Sequence, residues 1–285
     1  MAELILHIGS QKTGTTSIQR ALTLNRRALR GAQAAYLTTT PARARVANAN
    51  GLVRATGRGA AFRADLDDAR AEALLRPEAE TCVVSAEMLF WLDSPEPVRR
   101  LAELARARFD RVTVLCWLRR QDRLALSHRK QVIAARPLPA RRFYGAEARA
   151  LPRWRPWFGR FLHYDAKLAL WADAFGAEAV RPALYGREAG GDGDAVADFA
   201  RRSGVALSPP PAEENVAAGG ARTLAALTLM ESGAPPPLVA AAMAALPEDD
   251  APLRPARGEA AAFLEACAES NARLAEAWRD DGRPL

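Results

Sequence analysis

The chain has 285 residues, of which 49% are hydrophobic, a content that can bury a sizeable core and excludes a disordered protein. The formal net charge is +7, but the basic residues form no dense block, so the charge permits an anionic ligand and is weak support for DNA or RNA binding. No apolar run reaches the ~18 residues that a membrane-spanning helix needs, and the N-terminal segment lacks the basic region of a signal peptide, so a cytoplasmic protein is expected.

The first predicted unit is a strand, a glycine-rich loop and a helix. Residues 3–8 (ELILHI) form an apolar run that is typical of a short buried strand. The loop GSQKTGTT follows, and residues 17–29 carry apolar side chains at helical spacing. Residues 40–80 are rich in alanine and arginine and predict a series of helical pieces, the clearest at 67–75.

Two further buried strands are predicted at 81–85 (TCVVS) and 111–118 (RVTVLCWL), with helices at 95–109 and 119–135. Strands that alternate with helical stretches indicate βαβ units and a parallel sheet. We therefore expect an α/β fold with three layers, α/β/α, in which the central parallel sheet is like that of P-loop NTPases and additional helices lie at the C-terminus.

The next part of the chain predicts only one more strand. Residues 136–160 contain four prolines and several aromatic residues, which favours an irregular insertion. A helix at 164–175, a last strand at 179–185 and a helix at 194–205 complete the predicted sheet region.

The composition changes after residue 206, where a proline-rich linker begins. Residues 221–278 are alanine-rich and helical in pattern. We expect residues 1–206 to form the ligand-binding α/β core, and residues 207–285 to form a linker and a helical extension of the same domain.

The cysteines give no indication of a disulfide or a metal site. Cys82, Cys116 and Cys267 are odd in number and widely spaced, and the first two lie in predicted strands. Buried free thiols are therefore expected. No cluster of histidine, cysteine and aspartate has metal-ligand spacing, so no metal is expected.

The loop after the first strand has the features of an anion site. A strand that ends in a glycine-rich turn and opens a helix presents unpaired N–H groups and the positive end of the helix dipole. Gly9 and Gly14 lie five residues apart, as in the Walker pattern, but Thr15 stands at the Walker lysine position and Lys12 lies inside the loop. The strand at 111–118 ends in Leu118 and continues with Arg119 and Arg120, with no acidic residue at its end to hold Mg²⁺, so the loop is suited to a phosphate that needs no metal.

The segment HIGSQKTGTTS resembles the 5′-phosphosulfate-binding loop of sulfotransferases that use 3′-phosphoadenosine 5′-phosphosulfate (PAPS), whose core is KTGTT. The resemblance implies that Lys12 reaches the oxygen that bridges phosphate and sulfuryl group. It also implies that the loop backbone and hydroxyls hold the 5′-phosphate, through Thr13, Gly14, Thr15, Thr16 and Ser17. The alternative is an ordinary βα turn that uses glycine and threonine for shape and capping.

A second motif, LRRQDRLALSHRKQ (118–131), resembles the 3′-phosphate motif of the same family. That motif has an arginine at a strand end and a serine eight residues later, which here are Arg119 and Ser127. The alternative is a strand-end arginine and a capping or solvent-facing serine. The segments VVSAEMLFWL and DAVADFARRSGV also follow the order found in bacterial members of this superfamily.

The residue that takes a proton during transfer should lie at a strand end that faces the crevice. Glu87, just after the strand at 81–85, is the first candidate, and the alternative is that it caps a helix or pairs with an arginine. His7, at the end of the first strand, is the second candidate, and the alternative is a packed strand end. His128 follows Ser127 and is expected to face solvent.

Aromatic residues and arginines alternate over residues 143–164, which predicts either a lid over the acceptor or a loop that its aromatic residues anchor to the core. Arg222 and Asn215, beyond the last strand, are candidates for closing over the 3′-phosphate.

The predicted function is transfer of a sulfuryl group from PAPS to a hydroxyl or amine of a carbohydrate or small-molecule acceptor, with adenosine 3′,5′-bisphosphate as product and without a metal or a nucleic-acid partner. The alternatives are a P-loop kinase or NTPase that uses ATP and Mg²⁺, and a non-catalytic nucleotide- or nucleic-acid-binding protein. The sequence predicts no oligomeric state.

Overall fold

The computed structural model describes residues 1–41, 43–186, 194–210, 219–247 and 252–278. The strands, in chain order, are β1 (Glu3–His7), β2 (Ala34–Leu37), β3 (Val53–Thr56), β4 (Arg63–Leu66), β5 (Thr81–Ser85), β6 (Arg111–Leu118) and β7 (Val180–Leu184). Five of them form one sheet in the order β2-β5-β1-β6-β7, with every neighbouring pair parallel. The sheet thus contains the three strands predicted from the first half of the chain.

Helices cover both faces of this sheet. They are α1 (Thr15–Leu24), α2 (Arg26–Gly31), α3 (Asp68–Leu74), α4 (Pro95–Arg106), α5 (Gln121–Ala135), α6 (Pro137–Tyr144), α7 (Gly159–Leu162), α8 (Tyr164–Phe175), α9 (Ala195–Ser203), α10 (Gly220–Glu231), α11 (Pro236–Ala245), α12 (Arg257–Glu265) and α13 (Ala268–Ala277). Apolar side chains of α4 and α8 pack on one face, and those of α1 and α9 pack on the other. The predicted three-layer α/β/α fold with a central parallel sheet is confirmed.

Side chains of β1 point alternately to the two faces of the sheet, so this strand contributes to the apolar layers on both faces. Leu4 and Leu6 point toward the layer that contains α4 and α8, whereas Ile5 packs toward α1 and α9. Because His7 follows Ile5 by two residues, its side chain enters the same layer as Ile5, where it meets Trp117 and Phe199.

The strand order places a crevice at the carboxyl end of β1. The chain leaves β1 through α1 to reach β2 on one side, whereas β5 connects through α4 to β6 on the other side of β1. Open α/β sheets bind ligands where the strand order reverses in this way. Because the five strands are parallel, the residues that directly follow β1, β5 and β6 all lie at this carboxyl end of the sheet.

The prediction of helical pieces over 40–80 holds at α3 and at the single 3₁₀ turns Asn50–Leu52 and Gly59–Ala61, but it missed the strands of this region. Strands β3 and β4 form an antiparallel hairpin there, with Val53 opposite Leu66, and β2 just before this region was not predicted. The hairpin buries Val53, Ala64 and Leu66 against the core, while its exposed positions carry Arg54, Ala55, Thr56, Arg63 and Asp65. Its short apolar pattern is too weak to compete with the helix propensity of alanine, so tertiary packing decides the conformation.

The predicted irregular insertion at 136–160 begins as helix α6. Pro137 stands at the first position of that helix, where the missing N–H costs nothing and the fixed φ angle suits a helix. The prolines therefore start a helix here instead of preventing one.

The C-terminal part of the chain is helical, as its composition predicts, and its helices pack on α5 and α8. Helices α10 and α11 bury Leu227, Met230 and Val239 with Ile133 of α5. Helix α13 is fixed to α8, because Asp165 accepts hydrogen bonds from Ser270 at 2.5 Å and from Arg273 at 2.5 Å. Within the described ranges, no helix is long and apolar enough to cross a membrane.

Candidate functional site

The loop between β1 and α1 is held by β6 on one side. The N–H of Ile8 donates to the Leu115 carbonyl at 3.0 Å and that of Ser10 donates to the Trp117 carbonyl at 3.1 Å. The backbone then turns sharply, with φ angles of +63° at Lys12 and +77° at Gly14. A lysine in the left-handed region costs about 1 kcal/mol, a strain that often marks functional loops.

The first turn of α1 is open to a ligand. Gly14 is the N-cap residue and has no side chain that could accept hydrogen bonds from the first amides, and the first turn contains no acidic residue. Ser10 Oγ and Gln11 Oε1 are also enclosed without a partner among the described residues. Unpaired amides at the positive end of a helix dipole form a binding site for an anion.

The predicted hydroxyl ligands of the loop fall into two groups. Thr16 is exposed and Ser17 is half-buried, so both can contact a ligand at the first turn. Thr13 and Thr15 are buried, and the Thr13 hydroxyl donates to the Ser10 carbonyl at 2.5 Å. The side chain of Thr13 therefore shapes the loop, while its backbone remains part of the predicted phosphate cradle.

Lys12 lies in a group of positive charges. Burial lowers its pKa, and the charges of Arg119 and Lys130 lower it further. Arg119 Nη1 donates to the Lys12 carbonyl at 2.9 Å, and its guanidinium stacks over Tyr185 at 5.6 Å from the ring centroid. Like charges that converge on an uncapped helix N-terminus raise the local affinity for an anion.

One face of α5 completes this group. Arg123, Ser127 and Lys130 are spaced by four and three residues, so they share a helix face. The charge of Arg123 acts on Arg119, and the charge of Lys130 acts on Lys12, so this face looks toward the loop. Ser127 lies between the two basic residues and is half-buried.

Glu87 lies beside the start of the loop, as expected for a residue at the carboxyl end of β5. A Cβ atom added to Gly9 would lie 3.3 Å from Glu87 Cβ. Both carboxylate oxygens already accept hydrogen bonds, Oε2 from Gln19 Nε2 at 2.5 Å and Oε1 from Asn50 Nδ2 at 2.9 Å. Glu87 therefore ties α1 to the segment before β3.

His7 does not reach the crevice, which argues against the predicted catalytic role. Its ring is fully buried between Trp117 and Phe199, and Nδ1 lies 2.8 Å from Ser85 Oγ. Burial lowers the pKa of His7 to about 3, so the imidazole is neutral. The alternative of a packed strand end describes it correctly.

The sequence missed His128, which does not simply face solvent. Its ring is half-buried, Nδ1 lies 2.6 Å from Tyr144 Oη, and the ring centroid is 5.8 Å from that of Trp91. The pKa of His128 is lowered to about 4 by burial and by the charge of Lys12. The sequence feature that could have indicated His128 is its position directly after Ser127 in the second motif.

The aromatic segment at 143–164 is anchored in the core. Tyr144, Phe158 and Phe161 are buried with Phe263 of α12. The arginines of the segment are engaged as well, because Arg160 contacts Asp93 at 2.5 Å and Arg155 contacts Glu147 at 2.8 Å. These contacts favour anchoring over a mobile lid. A narrow aromatic slot remains between this segment and the β3–β4 hairpin, lined by Phe62, Trp91, Phe143, Trp157 and Phe161.

Two further expectations concern the C-terminal part of the chain. Arg222 donates to the Met243 carbonyl near the end of α11, so its guanidinium is engaged within the C-terminal helices. Asn215 lies outside the described residues. A contact that the sequence did not suggest joins Gln121, at the start of α5, to Asn271 of α13 at 2.5 Å. Over the described ranges, no group of three or more histidine, cysteine or acidic residues could hold a metal ion.

Gly14→Ala is expected to destabilise the protein by several kcal/mol and to remove nucleotide binding. A Cβ atom at this position would lie 2.5 Å from Ala195 Cβ in a backbone with φ of +77°. Urea unfolding measures the loss. Gly31→Ala is the matched control, because a Cβ atom there meets nothing within 4 Å, and its stability should be unchanged or slightly higher. Equal stability of the two variants would show that the loop does not need its observed turn.

No protein-family model and no curated protein matches the chain. Among solved structures, a sulfotransferase from Alicyclobacillus acidocaldarius is similar with a TM-score of 0.44 and 17% sequence identity, over 97% of this chain and 96% of that chain. A likeness at this level does not assign an activity.

Proposed function

We propose that this chain is a PAPS-dependent sulfotransferase that transfers a sulfuryl group to a hydroxyl or amine of a carbohydrate or small-molecule acceptor. The observation that carries the proposal is the combination of the uncapped α1 N-terminus, Lys12 inside the loop, and Arg119 bonded to the Lys12 carbonyl. A cytoplasmic location belongs to the same proposal, because Cys82, Cys116 and Cys267 are buried free thiols, as expected.

The donor would bind through two phosphate sites. The amides from Thr13 to Ser17 would hold the 5′-phosphate at the α1 N-terminus, with Thr16 and Ser17 adding hydroxyl contacts. Arg119, whose planar guanidinium suits bidentate phosphate recognition, would hold the 3′-phosphate together with Ser127.

The transfer itself is an in-line displacement at sulfur. The acceptor oxygen or nitrogen forms a new bond to sulfur while the bond from sulfur to the bridging phosphate oxygen breaks, and the electron pair of that bond stays on the phosphate. Lys12 would stabilise this developing charge, which is the main demand that the reaction places on the protein. Glu87 is the proton acceptor that the sequence suggests.

The residues at the end of β6 separate this proposal from a kinase or NTPase. The strand ends in Leu118 and continues with Arg119 and Arg120, so that position offers guanidinium groups in place of the carboxylate that would hold Mg²⁺. A donor with a 3′-phosphate fits these basic groups better than a triphosphate that needs a metal.

Adenosine 3′,5′-bisphosphate is expected to raise the unfolding temperature, with little or no shift from AMP or ATP·Mg²⁺. A ligand at ~100 times its Kd stabilises the fold by about 2.7 kcal/mol, which is roughly 5–10 °C for a domain of this size. Arg119→Ala should lose most of the shift. Arg106→Ala, which removes an exposed arginine in the last turn of α4 before β6 begins, is the matched control and should keep it.

Each alternative function predicts another pattern in the same assay. Stabilisation by ATP·Mg²⁺ instead of the bisphosphate would indicate a kinase or NTPase. Absence of a shift with every nucleotide, together with DNA or RNA binding whose affinity falls steeply with salt, would indicate a nucleic-acid-binding protein.

A further inference from the structure

His128 lies between the phosphate loop and the aromatic slot. On one side its ring packs near Trp91, which lines the slot, with 5.8 Å between the ring centroids. On another side Nδ1 lies 2.6 Å from the hydroxyl of the buried Tyr144, which fixes the orientation of the ring. The charge of Lys12 reaches His128 from the loop. The ring therefore lies between Lys12 and the aromatic slot, whose volume of about 10 Å³ admits an acceptor the size of water.

The second nitrogen of His128 is available to a ligand. No group of the described residues pairs with Nε2, and this atom is not enclosed in the protein interior. The Nε2 atoms of the other two histidines differ. That of His7 is enclosed in the core, and that of His163 lies 3.2 Å from the Ala266 carbonyl.

The neutral state of this imidazole suits a proton acceptor. Because burial and the charge of Lys12 lower the pKa of His128 to about 4, the ring carries no charge at neutral pH, and in the ligand-free protein it is a weaker base than a free histidine. An anionic phosphosulfate next to Lys12 would offset the lysine charge, so binding of the donor would increase the basicity of the ring.

We propose that His128 is the catalytic proton acceptor of the transfer reaction, an inference that rests on the function proposed above. In this proposal the proton is on Nδ1 and is donated to the Tyr144 hydroxyl oxygen 2.6 Å away, so that the lone pair is on Nε2. Nε2 takes the proton of the acceptor O–H or N–H as the acceptor atom bonds to sulfur. The bond from sulfur to the bridging phosphate oxygen breaks, and its electron pair stays on the phosphate beside Lys12.

Glu87 then acts as a positioning residue. Its two oxygens are engaged by amide groups of Gln19 and Asn50, so it holds α1 against the segment before β3 and thereby supports the loop. His128 differs because its reactive atom is unpaired.

The test measures release of adenosine 3′,5′-bisphosphate from PAPS, with water as the acceptor. His128→Gln is expected to lower turnover by at least ~10²-fold. Its thermal shift with adenosine 3′,5′-bisphosphate should remain as in the wild type, because the two phosphate sites are intact. His163→Gln makes the same change at a histidine that stacks on Trp154 and should keep wild-type turnover.

Two further measurements guard against a folding defect. Tyr144→Phe leaves His128 in place but removes the oxygen that accepts from Nδ1–H, so turnover should fall by roughly tenfold. In the wild type, carbethoxylation of histidine with diethylpyrocarbonate should abolish turnover in proportion to modification of His128 as mapped by mass spectrometry, while His7 stays unmodified.

The outcomes separate the two proposals. If the bisphosphate stabilises His128→Gln and its turnover stays within threefold of the wild type, the role of His128 is overturned and the proposed function stands. If the bisphosphate does not stabilise the wild type, both proposals are overturned. A loss of turnover in Glu87→Gln without a loss in His128→Gln would return the base role to Glu87.

Discussion

Lys12→Ala is expected to lower PAPS turnover by roughly 10²–10³, the usual loss when one preorganised donor to a developing charge is removed. Burial and the neighbouring charges of Arg119 and Lys130 make the Lys12 ammonium costly in the ligand-free protein. Under the proposed function, negative charge that develops on the leaving phosphate would offset that cost, so the interaction would grow in the transition state. The measurement is the rate at which adenosine 3′,5′-bisphosphate appears in single-turnover reactions.

Two control variants separate the leaving-group role from a general effect of charge. Lys130→Ala removes a neighbouring charge from α5 and should reduce turnover by less than tenfold. Lys12→Gly removes the left-handed strain of a φ of +63°, so its ligand-free form should be at least as stable as the wild type although its turnover is lost. A loss of tenfold or less in Lys12→Ala would contradict the leaving-group role.

The use of lysine in this chain supports the same interpretation. The chain has only three lysines among 40 basic residues, and none of them is fully exposed. Lys12 and Lys130 lie at the loop, and Lys167 is buried with its ammonium 2.6 Å from the Leu92 carbonyl. An ammonium is a compact point charge whereas a guanidinium is planar, so lysine and arginine are not interchangeable at such positions.

The elements that the sequence predicts well depend on local patterns. Strands β1, β5 and β6 are near-continuous apolar runs, because parallel strands are covered on both faces. The loop at 8–14 is also predictable, since its glycines follow an apolar strand and precede a helical pattern, which is the order of a strand–loop–helix unit. Helix α4 shows a clear apolar stripe with a proline in its first turn.

The features that the sequence did not predict depend on contacts between distant residues. His128 pairs with Tyr144 only because α6 folds back against α5, and no local pattern encodes that approach. Glu87 is engaged by Gln19 and Asn50, which come from two other parts of the chain. His7 occupies a strand end, as predicted. Its burial depends on Phe199 of α9, a helix that packs on the sheet but lies almost 190 residues later in the chain. Motifs thus suggest which side chains belong to the candidate site. Whether each of those side chains has a hydrogen-bond partner can be read only from the tertiary structure.

The stability of the fold is expected to fall steeply as the pH decreases from about 6.5 toward 4. His7 and His128 have pKa values of about 3 and about 4 in the folded protein, against 6.5 in an unfolded chain. Between these values the unfolded chain binds protons that the folded protein excludes, so stability increases with pH across this window and is independent of these groups above it. At pH 4.5 each histidine should lower the free energy of unfolding by about 2 kcal/mol relative to its value at neutral pH.

Urea unfolding at pH 7.5, 5.5 and 4.5, followed by tryptophan fluorescence, measures this dependence. His7→Gln is the informative variant, because it removes the group whose Nε2 is enclosed without a partner among the described residues. Its absolute stability can change in either direction, but the difference between pH 7.5 and 4.5 should shrink relative to the wild type. Since the carboxylates are the same in both proteins, their contribution cancels in that comparison. An unchanged pH dependence in His7→Gln would show that this histidine is protonated, or exposed, in the native protein.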